Sequence, residues 1–77
     1  DPNIIVCLGA VAARNIIDKD FRITKDRGIW FNRGMYSIIA TYHPAALLRD
    51  ETKKREAWED FKDIKAKYEK VDGKREG

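Results

Sequence analysis

Seventy-seven residues, 43% hydrophobic and 38% charged with a formal net charge of +3, make either one small domain or a piece of a larger one, since a lone core below roughly 80 residues contributes only a few kcal/mol of net stability. The composition excludes a disordered chain, whose apolar content is too low to offset chain entropy, and the single cysteine, Cys7, excludes an internal disulfide or a cysteine cage built from this chain alone. No apolar run approaches the roughly 18 residues of a membrane span and no signal-peptide pattern is present, so the expectation is a cytoplasmic protein without a membrane partner.

In chain order, Asn3 to Leu8 is an unbroken β-branched and apolar run stopped by Gly9, the pattern of a strand buried on both faces. Cys7 lies inside it and reads as a small buried apolar residue rather than a nucleophile. Ala10 to Ile17 is rich in helix formers, so a short helix follows the glycine. Asp18 to Lys25 is polar and irregular, and Asp26-Arg27-Gly28 is a turn signal before the short apolar run Ile29-Trp30-Phe31, which forms either one arm of a hairpin or an edge strand. After Asn32-Arg33-Gly34, Met35 to Tyr42 is the second strong strand.

From Glu51 to about Val71, the residues Trp58, Phe61, Ile64, Tyr68 and Val71 recur at spacings of three and four, which places one apolar stripe on a charged helix. Asp50 is suited to cap it and Glu51 to sit at its positive end. Residues 72–77 are polar and read as a flexible tail, leaving residues 1–71 as one partial α/β domain. Residues 1–49 carry seven Lys or Arg against four Asp, while residues 50–77 carry nine of each sign. The positive excess thus belongs to the first half, a distribution compatible with a phosphate-bearing partner.

Between the second strong strand and the long helix stands Thr-Tyr-His-Pro-Ala-Ala-Leu-Leu-Arg-Asp, residues 41–50. A purely structural turn uses Gly, Asn, Asp or Ser to satisfy its backbone locally. This one offers the chain's only histidine, a rigid bend, two leucines and a cation. Singly, each has a structural role open to it: His43 bonding a carbonyl, Leu47 and Leu48 in the core, Arg49 paired with an acid. Together they point to a ligand. Pro44 holds His43 in extended backbone, Ala45 and Ala46 leave room for close approach, and adjacent leucines on a helical turn diverge by about 100°, so that one can enter the core while the other protrudes. In an open α/β sheet, ligands sit beyond the carboxyl ends of the strands, where both this turn and Gly9-Ala10 fall.

The run His-Pro-Ala-Ala-Leu-Leu-Arg, residues 43–49, resembles the second signature motif of the uracil-DNA glycosylase superfamily, in particular its iron–sulfur-containing family 4, where the usual form has serine in place of Ala45. Residues 5–12, Ile-Val-Cys-Leu-Gly-Ala-Val-Ala, resemble the strand-Leu-Gly-Ala-x-Ala segment of that family; Arg27-Gly28 resembles its Arg-Gly before the last strand; and the helix with Trp58, Asp60 and Phe61 sits where the family ends. The resemblance implies the C-terminal half of a three-layer α/β/α fold with a mostly parallel sheet. It implies a DNA glycosylase that hydrolyses the N-glycosidic bond of uracil in base excision repair, acting on single- or double-stranded uracil-containing DNA.

By the same resemblance His43 is the catalytic donor to the uracil ring, and Pro44, Ala45, Ala46, Leu47, Leu48 and Arg49 contact DNA, one leucine filling the gap left by the flipped base. The family pattern favours Leu47 for that wedge. Ala45 lacks a hydroxyl that could grip phosphate, and Arg27 is either a phosphate contact or, the preferred assignment, a structural brace. The upstream Gly-Glu-x-Pro-Gly-type motif, the base-stacking aromatic, the uracil-reading Asn and the four cysteines of a 4Fe–4S cluster are not identifiable in this sequence. The segment is therefore expected to bind no cofactor, to need the missing N-terminal half of its domain, and to be inactive alone, with a cluster in the complete protein. The alternative is an inactive nucleic-acid or protein interaction module derived from the same fold.

Overall fold

The computed structural model describes residues 3–76, with side chains through Lys70. Strand β1 (Asn3–Leu8) leads through Gly9 into helix α1 (Ala10–Ile16); a single-turn helix α2 (Ile23–Asp26) precedes strands β2 (Phe31–Arg33) and β3 (Tyr36–Thr41); the one-turn helix α3 (Pro44–Leu47) and the long helix α4 (Glu51–Glu76) complete the order. The mixed α/β class expected from the sequence holds. The sheet order is β1-β3-β2, with β1 parallel to β3 and β2 antiparallel to it. Ile29-Trp30-Phe31 resolves into a hairpin whose β2 starts only at Phe31 and turns through Gly34-Met35, with Gly34 at φ +59°. No described helix is long and apolar enough to cross a membrane.

Side chains alternate across a strand, and the alternation sorts the core. Ile38 and Ala40 of β3 and Cys7 of β1 face α1 and the loop after it, where they bury against Ala13, Ile17 and Phe21, with Ile5, Ala12, Ile23 and Phe31 packed around them. Phe21 and Phe31 meet edge to face at 6.0 Å, and Arg14 Nε–H donates to the Phe21 carbonyl at 3.1 Å, fixing the irregular segment to the helix before it. Cys7 is buried there, and burial pushes its thiol up, in keeping with a packing role. The turn α2 falls where the stretch expected to be irregular meets the expected Asp26-Arg27-Gly28 turn; the Asp26 carboxylate holds it by accepting from the Arg22 amide at 3.0 Å.

The opposite face of β3 carries Ile39 and Thr41, both fully buried beneath α4. Two expectations are corrected here. The apolar stripe of α4 is not what α4 buries most deeply: Trp58 and Tyr68 are each 63% exposed, Phe61 is 39% exposed and Ile64 is half-buried, whereas Ala57 and Asp60 are the buried positions, and the side chain of Val71 lies outside the described residues. Periodicity establishes which residues share a face, and here a small residue and an ion-pair cluster bring the helix onto the sheet instead. β1 is also not buried on both faces, because Val6 and Leu8, in register with Ile39 and Thr41 on the α4 side, are exposed. The helix lies over β3, and nothing else among the described residues covers that face of β1. Helix α4 runs past Val71 to Glu76, and Gly77 lies outside the described residues.

Candidate functional site

The site is built at the carboxyl ends of two parallel strands. β3 ends at Thr41, and His43 follows in extended backbone (φ −67°, ψ 142°) as the N-cap of α3, with Pro44 at the first helical position. Proline is suited there because it has no amide hydrogen to leave unpaired. The Ala45 amide donates to His43 Nδ1 at 3.1 Å, and the Ala46 amide donates to the His43 carbonyl at 2.9 Å. A nitrogen that accepts from an amide carries no proton, so the neutral imidazole holds its proton on Nε2 and presents that nitrogen as a donor.

At the tip of β1, the Gly9 amide donates to the Thr41 carbonyl at 2.8 Å, and Gly9 lies beneath the histidine. Its φ of +94° is open to glycine alone in practice, and a β-carbon added there would stand 3.1 Å from His43 Cβ. The ends of the two strands thus meet, with Gly9 against His43 and Pro44 following it.

Along the rest of the turn, His43, Pro44 and Ala45 are exposed, Ala46 and Leu47 are half-buried, and Leu48 and Arg49 are exposed. Leu48 is 84% exposed, more than any other large apolar side chain described. Arg49 makes no ion pair among the described residues. Asp50 caps α4 as expected, its carboxylate accepting from the Thr52 amide at 2.9 Å.

Behind the turn lies a charged cluster that the sequence pattern did not reveal. Arg27 Nη1–H donates to Asp60 Oδ1 at 2.8 Å, and Nη2–H to Glu56 Oε2 at 3.0 Å; Arg27 is therefore the brace. Thr41 Oγ–H donates to Asp60 Oδ2 at 2.6 Å and Tyr42 O–H to Glu56 Oε1 at 3.2 Å. Arg27 and Lys53 lie over the Tyr42 ring, 5.9 and 5.3 Å from its centroid. Burial pulls the Arg27 guanidinium down, but the hydrogen bond and charge of Asp60, joined by Glu56, outweigh it and hold the group above its ordinary value.

Burial pushes the Tyr42 phenol up, and the Glu56 charge adds to this against the pull of Arg27. A group whose folded-state pKa is raised contributes stability that is fully present below its unfolded pKa and lost as pH rises through the folded value. Denaturant stability is therefore expected to fall as pH rises above about 10, and to fall less steeply in Tyr42→Phe. Cys7 adds a decline of the same sign from a lower pH. Equal slopes in the two proteins would remove Tyr42 from the account.

A 4Fe–4S cluster takes four cysteine thiolates. The one cysteine here is buried in the α1 core, and among the described residues no group of three or more His, Cys, Asp or Glu is placed to hold a metal ion. The residues of this chain do not fit such a cluster.

The turn thus sets a histidine donor, a protruding leucine and an arginine with no ion pair among the described residues at the ends of two parallel strands. Residues 1–62 match the family model of the uracil-DNA glycosylase superfamily, and the chain belongs to that superfamily. It is 38% identical over 71 residues to the type-4 uracil-DNA glycosylase of Archaeoglobus fulgidus, a match covering 82% of this chain and 36% of the relative. Within the superfamily it therefore belongs to family 4. The chain spans about a third of the length of that curated relative.

Proposed function

We propose that this chain is the C-terminal segment of a uracil-DNA glycosylase and supplies the donor and the DNA-contacting turn of the active site. The observation that carries the proposal is the hydrogen bond from the Ala45 amide to His43 Nδ1, which leaves Nε2–H exposed at the strand ends. In the reaction, the C1′–N1 bond of deoxyuridine breaks, its electron pair passes into the uracil ring, and water adds at C1′ with loss of a proton that balances the uracil anion, leaving an abasic site and free uracil. Negative charge grows on the ring oxygen O2, and a donor fixed beforehand stabilises it without reorganisation. His43 Nε2–H is that donor.

The base must first leave the stack. Leu48 fills the vacated space, an assignment supported by its exposure against the half-buried Leu47, and so departs from the family preference for Leu47. Pro44, Ala45 and Ala46 press on the DNA backbone, and Arg49 pairs with a phosphate, giving salt-dependent grip without sequence preference. Water positioning and base reading fall to the remainder of the domain, as do the ligands of any 4Fe–4S cluster. That remainder completes a three-layer fold with a mostly parallel sheet and packs over Val6 and Leu8, whose exposure on a strand face is the mark of an unpaired core.

The test is release of free uracil by the full-length gene product from single-stranded DNA containing uracil, with the thymine strand as control. Release from the uracil strand alone is expected; no release would overturn the proposal in favour of an interaction module. Leu48→Ala is expected to slow release by about tenfold or more on duplex DNA and less on a single strand, because extruding a paired base costs a few kcal/mol. Equal losses on both substrates would remove the wedge role.

A further inference from the structure

We infer that Asp60, far from the turn in sequence, is a positioning residue that sets the place of His43 through Thr41; the inference rests on the proposed catalytic role of His43. Thr41 is fully buried and is held from two sides. Its carbonyl accepts from Gly9, the residue lying against His43 Cβ, and its hydroxyl donates to Asp60 at 2.6 Å. His43 follows two residues later, so the direction in which β3 delivers the imidazole depends on where these two bonds place the strand end.

Asp60 is itself immobilised. It is 3% exposed, its second oxygen accepts from Arg27 at 2.8 Å, and the Gly28 backbone lies so close that an added β-carbon would stand 2.6 Å from Oδ1. Gly28 is tied in turn to β3, its amide donating to the Ala40 carbonyl at 2.9 Å. The carboxylate thus joins α4, the Arg27-Gly28 turn and the last residues of β3.

Packing alone gives little reason to put these groups there. A buried ion pair loses so much solvation that apolar residues of similar volume often hold a fold as well or better. Arg27 Nε–H is also buried without an acceptor among the described residues, a further cost of the arrangement. What the cluster provides that apolar packing does not is direction: two short charge-assisted bonds fix one hydroxyl in place.

The test uses the full-length gene product, single-turnover uracil release well below the melting temperature, DNA affinity, and the nitrogen NMR shifts of the His43 ring. In Thr41→Val, which removes the hydroxyl at nearly constant volume, release is expected to slow about ten- to hundredfold, the scale of a misplaced group, with DNA affinity changed less than twofold. The His43 Nδ1 shift moves as its bond from Ala45 is disturbed. Thr41→Ser, which restores the hydroxyl, recovers both rate and shift, and Asp60→Asn, if it folds, repeats the loss.

A fall in melting temperature with rate and shift unchanged would overturn the inference and leave Asp60 a structural brace. If the unaltered protein releases no uracil, the glycosylase proposal fails by itself, and the ring shift decides on positioning: movement in Thr41→Val that Thr41→Ser reverses supports it, and an unmoved shift overturns it.

Discussion

Replacing His43 by alanine in the full-length gene product is expected to slow uracil release by about two to three powers of ten, the usual effect of removing one preorganised donor from a developing anion, while DNA affinity changes little. The size of the expected loss follows from how the ring is held. Pro44 and the extended backbone set its departure from β3, the Ala45 amide occupies Nδ1, and Gly9 supports it from below. A donor free to turn would spend part of its stabilisation on being ordered; this one is ordered before substrate arrives. The loss should therefore appear in the single-turnover rate rather than in binding, because exposed His43 grips little in the ground state. His43→Asn, with a shorter side chain that still carries a donor, should recover only part of the rate. Undiminished release by His43→Ala would leave the superfamily membership standing and sink the donor role.

Much of this site was legible because its chemistry is local. His43 through Arg49 are consecutive, the β-branched runs Asn3 to Leu8 and Met35 to Tyr42 announce two strands, and Gly9 marks the end of the first. The support behind the site was not legible. Arg27 lies 33 residues from Asp60 and 29 from Glu56, and on a helix with nine charges of each sign in its region nothing local separates the two acids that matter from those that face solvent. Trp58 and Tyr68 misled for a related reason. Their spacing correctly places them on one side of α4, but which side meets the sheet is decided by Ala57, small enough for close approach, and by the partners waiting for Asp60. Apolar side chains remain exposed on α4 and β1, where the proposed function places the rest of the domain. α2 escaped notice because Ile23 and Thr24 are weak helix formers; the Asp26 amide donates to the Arg22 carbonyl at 2.7 Å, and the Asp26 carboxylate accepts from the Arg22 amide in return.

Gly9→Ala is expected to impair both stability and catalysis, and comparison with a second glycine separates the two. Gly9 sits at φ +94° and ψ 169°, a region that side-chain-bearing residues occupy only at a cost of about 1–3 kcal/mol. The added methyl would also meet His43 Cβ at 3.1 Å, closer than ordinary van der Waals contact, and its neighbour is a backbone-proximal atom that cannot swing aside without moving the ring. A displacement on the order of 1 Å at a reacting group can cost about a hundredfold in rate, so the single-turnover rate should fall by about that factor even at temperatures where the variant is fully folded. Gly34 has φ +59° with nothing within 4 Å of an added β-carbon. Gly34→Ala should therefore weaken the β2–β3 turn and lower the urea midpoint while leaving the rate per folded molecule unchanged. If Gly9→Ala behaved like Gly34→Ala, losing stability alone, the glycine would be needed only for the turn out of β1, and the contact beneath His43 would have no part in aiming it. If the rate falls in Gly9→Ala and holds in Gly34→Ala, the close approach of the two strand ends is itself part of the catalytic apparatus.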